Sequence, residues 1–175
     1  GPPAKVFARY HKQTAELHQT DTDTEFIPGL AVDADQWGTG KVRIRQIELL
    51  IGGEATSTVL SGTEPVIRLT IHTPQPIHNP VFGLGIKTPD GLMCFGTNTD
   101  IEGYSTGTFE GDTVVTVRIP DLGLHEGRYV IHASAVSSDA AEIFHWLENQ
   151  CEFSVVPADT GVGMVRMQFE WSFDC

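Results

Sequence analysis

The sequence is short of positive charge. Lys and Arg number 11 against 23 Asp and Glu, a formal net charge of −12 at pH 7. Duplex nucleic acid and anionic bilayers would be repelled by that field, so neither is expected as a partner. An anionic ligand would need a local gathering of basic side chains. Cysteine is nearly absent. Cys94, Cys151 and Cys175 are odd in number, widely spaced and without a CxxC. This argues against a disulfide framework or a thiolate zinc site and fits reduced thiols in the cytoplasm, with Cys94 and Cys151 in the core. No apolar run approaches the ~20 residues of a membrane span. Catalytic signatures are missing too: GxSxG, HExxH and a phosphate loop do not occur. Gly83-Leu84-Gly85 lacks a third glycine at the required position and no helix follows it. His72, His78, His125, His132 and His145 are scattered without metal-ligand spacing. No catalytic residue, metal or cofactor is therefore expected.

What is present is a globular composition, 40% hydrophobic and 19% charged over 175 residues, enough for one domain with a short appendage. The opening Gly-Pro has the form of a protease-cleavage remnant, so the chain is expected to be a piece of a longer protein. Residues 3–18 read as a weak helix, with Val6, Tyr10 and Leu17 on one face. The polar run 18–25 reads as a linker. Residues 1–30 are accordingly assigned to an N-terminal arm and 31–175 to the folded domain.

From Trp37 onward the pattern has period two. Strands are expected over 42–49, 66–72, 81–87, 92–96, 113–119, 127–135, 152–156 and 164–173, separated by Gly, Pro, Asn and Asp signals. Pro74, Pro76 and Pro80 are expected to break the second of these, and Pro89-Asp90-Gly91 to close a hairpin. A weak helix is expected over 139–147. Short strands at this spacing, with no strand–helix alternation, indicate an all-β, immunoglobulin-like antiparallel sandwich. In the last segment Val165, Met167, Phe169, Trp171 and Phe173 share one face. It follows a Gly-rich hinge, so the terminal strand is a candidate for exchange in a homodimer.

The polar faces of the strands supply the candidate site. With Ile67, Leu69 and Ile71 inward, Arg68, Thr70 and His72 point outward. With Phe82, Leu84 and Ile86 inward, Gly83, Gly85 and Lys87 point outward. With Tyr129, Ile131 and Ala133 inward, His132 and Ser134 point outward. If these strands are neighbours, Arg68, Thr70, His72, Lys87, His132 and Ser134 form a shallow polar surface with local positive charge. That suits a sugar, especially one carrying a phosphate or carboxylate that Arg can hold bidentately. An ordinary solvated sheet face accounts for the same pattern.

Several segments in order are Trp37-Gly38-Thr39-Gly40 with Val42-Arg43-Ile44, residues 80–87 with Asp90-Gly91, Gly96-Thr97-Asn98-Thr99, residues 122–129, Phe153-Ser154-Val155, and Gly161-Val162-Gly163 leading to Trp171. Together they resemble the C-terminal domain of the Wzt-type ATP-binding subunit of O-antigen polysaccharide ABC transporters, over about residues 37–171. The resemblance implies an immunoglobulin-like sandwich that dimerises by exchange of its terminal strand. It implies non-catalytic recognition of a capped non-reducing end of O-polysaccharide, coupling chain termination to export. It places the domain in the cytoplasm at the inner membrane, with the transporter membrane subunit as a partner of the full-length protein. ATP hydrolysis would belong to a separate N-terminal domain. The resemblance supplies no residue-level sugar motif. An assembly or adhesion sandwich with a protein ligand is the alternative, and a glycan hydrolase using two carboxylates brought together in space stays open.

Overall fold

The computed structural model describes residues 35–158, 160–168 and 170–172. The described residues contain ten strands and no helix: β1 (Gln36–Trp37), β2 (Arg43–Ile51), β3 (Glu54–Ala55), β4 (Thr58–Leu60), β5 (Val66–His78), β6 (Val81–Lys87), β7 (Met93–Asn98), β8 (Thr108–Arg118), β9 (Gly127–Val136) and β10 (Ile143–Val156). One sheet runs β1-β10-β9-β6-β7, with β4 added beside β10. The other runs β3-β2-β5-β8. All pairings are antiparallel except β4 with β10. The chain is thus an all-β sandwich. The expected helix over 3–18 and the linker over 18–25 lie outside the described residues.

The period-two pattern does the work expected of it. Ile67, Leu69 and Ile71 of β5 face Leu84, Ile86, Ile131 and Ala133 of the other sheet in one continuous core. Ile67, Ile71 and Ile131 are completely buried. Each contributes roughly 1.5–3 kcal/mol of transfer free energy. Cys94 and Cys151 are half-buried against this core, and burial pushes both thiols up. The hairpin closed by Pro89-Asp90-Gly91 is present, with Gly91 at φ 92°.

Three expectations are overturned. Residues 139–147 are not helical: 143–147 form the first part of β10. Two register breaks in β10, at Ile143/His145 and Leu147/Cys151, interrupt its alternation. Phe144 and His145 are both buried as a result, and the apolar spacing came to mimic a helical one. Second, β5 continues through Pro74 and Pro76 to His78. The prolines fall in the register shift between Thr73 and Ile77, where no ladder hydrogen bond is required of their missing N–H. Third, residues 164–172 contain no named strand. Their only pairing among the described residues is the isolated bridge of Val165 with Leu124, reinforced by the His125 amide donating to the Met164 carbonyl and the Arg166 amide to the Gly123 carbonyl. Phe169 and Phe173 lie outside the described residues.

Where the chain enters β9, the Tyr129 hydroxyl donates to the His125 carbonyl at 3.0 Å. This ties the β8–β9 connection to the first residues of β9, as a tyrosine corner does in immunoglobulin-like sandwiches. The ring stacks on Phe153 at 5.7 Å. Removing only the hydroxyl leaves a buried carbonyl short of one donor. Tyr129→Phe is expected to lower stability by about 1 kcal/mol in urea unfolding, with the m-value unchanged.

Candidate functional site

Strand neighbours decide which polar residues meet. β6 and β9 pair directly, and Lys87, His132 and Ser134 lie together on the outer face of the six-stranded sheet. β5 belongs to the other sheet, so Arg68, Thr70 and His72 lie on the opposite side of the sandwich. The six residues therefore do not form one surface. This corrects the conditional neighbourhood on which the set was built: the core-facing residues of β5 pack against β6 and β9 from across the sandwich.

The β5 group sits in a ladder of cross-strand ion pairs. Arg68 donates to Glu48 at 2.9 Å, and Asp112 takes His72 at 2.7 Å and Arg45 at 3.2 Å. The His72 hydrogen bond holds the Asp112 carboxyl below its usual range. The Arg68 charge is thus partly offset by Glu48, through its Nε. Thr70 lies half-buried between Gln46 and Val114.

The β6–β9–β10 face is built differently. Gly85 and Gly83 of β6 are opposite His132 and Ser134 of β9. A Cβ on Gly85 would stand 2.1 Å from His132 Cε1, and one on Gly83 would stand 2.5 Å from Ser134 Oγ. The glycines therefore leave room for the β9 side chains to lie across β6. His132 then stacks on Trp146 of β10, centroids 6.0 Å apart, and Trp146 stacks on Trp37 of β1 at 5.5 Å. Three near-parallel rings thus cross three adjacent strands, ending at the partly exposed Trp37 on the sheet edge. β1 is held there by its pairing with β10. Gly38 follows at φ 132°, with its α-carbon so close to the Phe144 carbonyl that a Cβ would lie 2.6 Å from the oxygen.

Beside the rings, Lys87 Nζ donates to Glu148 Oε2 at 2.8 Å, and the Trp146 indole N–H donates to Glu148 Oε1 at 2.9 Å. Burial pushes the Glu148 carboxyl up, but the hydrogen bonds from Lys87 and Trp146 outweigh it and hold the group below its ordinary value. Both members of the ion pair are largely covered, with side chains 14% and 22% exposed. His132 and Ser134 are buried, so they form a floor, and Lys87, Glu148, Trp37 and Asn98 stand above it. Trp146 and Glu148 were missed because the register breaks of β10 hid its alternation. The Trp146-x-Glu148 spacing was the available signal, since residues two apart on a strand share a face.

Among the described residues no cluster of His, Cys, Asp or Glu is arranged to hold a metal ion, and no helix is long and apolar enough to cross a membrane.

The family model for the Wzt C-terminal domain matches residues 33–167. Among solved structures, a crystal structure of the C-terminal domain of Wzt is similar at 15% identity, covering 79% of this chain and 87% of that one, with a TM-score of 0.71. An alkylpurine DNA glycosylase from Pseudomonas fluorescens (14% identity, 67% of this chain, 31% of that chain, TM-score 0.43) and a β-glucuronidase from Parabacteroides merdae (17%, 66%, 14%, TM-score 0.40) share less of the fold. No curated protein sequence matches the chain. With most of its described sandwich inside the matched span, the chain belongs to the Wzt C-terminal domain family.

Proposed function

We propose that this domain binds O-antigen polysaccharide, without catalysis, on the outer face of the six-stranded sheet, and that it reads the modified non-reducing end. Family membership supports a carbohydrate-binding role in O-antigen transport. The observation that carries the choice of face is the row of Trp37, Trp146 and His132 beside the Lys87–Glu148 pair. Trp37, the partly exposed end of the row, can pack against the C–H face of a sugar, with Trp146 and His132 fixing it from behind, and a fixed polar pair orients the hydroxyls. On this reading Lys87 is a contact residue, while His132 and Ser134 set the floor. Arg68, Thr70 and His72 are outside the site. In the full-length protein, binding would report chain completion to the transporter's membrane subunit, at the cytoplasmic side of the inner membrane, with ATP hydrolysis in a separate domain.

Titration of the chain with O-polysaccharide of its source organism, with and without the terminal modification, tests the reading. Binding to the capped form alone is expected, and it should weaken in Lys87→Ala but not in Arg68→Ala. Equal binding to both forms would show that the repeat unit is read. Absence of binding to either would leave the protein-assembly alternative.

The same reading includes a homodimer joined through residues 164–173. Its support is the exposure of apolar side chains there: Met167 is 72% and Trp171 75% exposed. Such surface is costly in water and suits burial against a second copy. Trp171→Asp is expected to convert a dimer to monomers in light scattering. A monomeric wild-type chain at about 100 μM would remove the proposal.

A further inference from the structure

Charge on the proposed glycan face is already matched within the protein. Lys87 of β6 is held by Glu148 of β10, and Arg128 of β9 by Glu152 of β10 at 2.8 Å. Near the start of β10, Lys41 is held by Glu142 at 2.8 Å. Lys87, Arg128 and Lys41 thus each have a carboxylate partner, in a chain of net charge −12. An anionic sugar substituent that displaced Glu148 from Lys87 would undo this pairing, and one that shared the ammonium would lie beside the Glu148 carboxylate. Displacement would leave a largely covered carboxylate with one donor, the Trp146 N–H, and in either case the ligand's negative charge would face that of Glu148. Desolvated like charges at such range oppose binding strongly. An uncharged substituent meets no such conflict. A methyl ether or a deoxy carbon would instead pack on the ring row that ends at Trp37.

We infer that the face selects a glycan end that is uncharged and carries an apolar substituent, and discriminates against phosphate and carboxylate. The inference rests on the reading of this face as the glycan site. It reverses the preference for anionic sugars that the sequence suggested, because the structure moves Arg68 to the other sheet and neutralises Lys87.

The test is a titration of the whole chain with O-polysaccharide of its source organism at low and high salt, with inorganic phosphate and glucuronate as competitors. Binding is expected to change by less than about threefold between 0.05 and 0.5 M salt, where screening of exposed charges becomes nearly complete. Neither competitor at about 10 mM should displace the glycan, since ligand at that level competes only when its own Kd is of that order or lower. In Glu148→Gln the ammonium is released, and phosphate sensitivity should appear. A loss of about threefold or more with salt, or displacement of the wild-type complex by phosphate or glucuronate, overturns the inference while keeping the face as a glycan site. No binding at either salt sinks the carbohydrate reading itself.

Discussion

Acidification from pH 7 to pH 4 is expected to cost the domain about 3 kcal/mol through His145 alone. This imidazole lies between the sheets, 3% exposed. Its Nδ1 accepts the Ile44 amide at 2.9 Å, so Nε2 carries the proton, and that N–H is buried without a partner. Burial, with a smaller contribution from nearby Arg43, pushes its pKa down from 6.5 to about 4. The unfolded chain therefore takes up the proton first. Stability is complete above about pH 6.5, declines as the pH falls, and levels off below about pH 4, where both states become protonated. The drop of about 2.5 pKa units at 1.36 kcal/mol each sets the magnitude. Urea unfolding at pH 7, 5.5 and 4 measures it. His145→Asn offers a carbonyl to the Ile44 amide without titrating, so its stability should follow a flatter course through this window. Glu142 and Glu148, both held below the usual carboxylate range, act only below about pH 4.5, where they lose stability in wild type and variant alike. Parallel pH profiles for wild type and His145→Asn would refute the assignment.

His145 also shows where sequence reasoning stops. Alternation identified the core-facing residues of β5, β6, β8 and β9 because those strands keep their register over most of their length. Each has one face on the core, and Ile67/Leu69/Ile71 and Phe82/Leu84/Ile86 display it residue by residue. β10 does not keep its register. The break at Ile143/His145 turns a polar ring into the interior, and the break at Leu147/Cys151 pushes out Glu148, Asn149 and Gln150, with Asn149 at φ 54°. A bulge changes which face a residue joins without changing composition, so no local propensity announces it. The very short strands β1, β3 and β4 were illegible for another reason. Two or three residues carry no period, and Gln36–Trp37 becomes a strand only because β10 is there to pair with it.

The candidate site was half legible for related reasons. The outward direction of Lys87, His132 and Ser134 followed from alternation, and β6–β9 pairing is what brings them together. Arg68, Thr70 and His72 were equally outward, but direction within a strand says nothing of which sheet the strand joins. Assignment of β5 to the second sheet depends on its pairing with β2 and β8, long-range events that leave no local mark. The terminal segment is a third case. Its alternating apolar residues are real, yet a period-two pattern forms a strand only where an edge accepts it. Within one chain, Val165 finds just a bridge.

The glycines of β6 give the sharpest handle on the site. Gly85→Ala is expected to destabilise the domain by about 2–3 kcal/mol and to weaken glycan binding at least about tenfold. The new Cβ would fall 2.1 Å from His132 Cε1 and 2.3 Å from Nε2. The ring cannot easily yield, because Trp146 stacks on it and Trp37 on Trp146. Either β6 and β9 part, or the imidazole moves and the row of rings moves with it. Gly83→Ala differs: its Cβ would meet the single Ser134 Oγ at 2.5 Å, one atom at the end of a short side chain in place of a whole ring. It should cost under about 1 kcal/mol, within the range for changes that leave packing intact. Rescue separates a steric effect from a backbone one. In Gly85→Ala/His132→Ala the obstructing ring is gone, so the added methyl should cost almost nothing relative to His132→Ala alone, a coupling of about 2 kcal/mol in the double-mutant cycle. Urea unfolding supplies the stabilities, and tryptophan fluorescence reports on the Trp37–Trp146 stack. Additive losses would mean that Gly85 is required for its backbone rather than for the space above it, and the ring row would then owe its position to some other constraint.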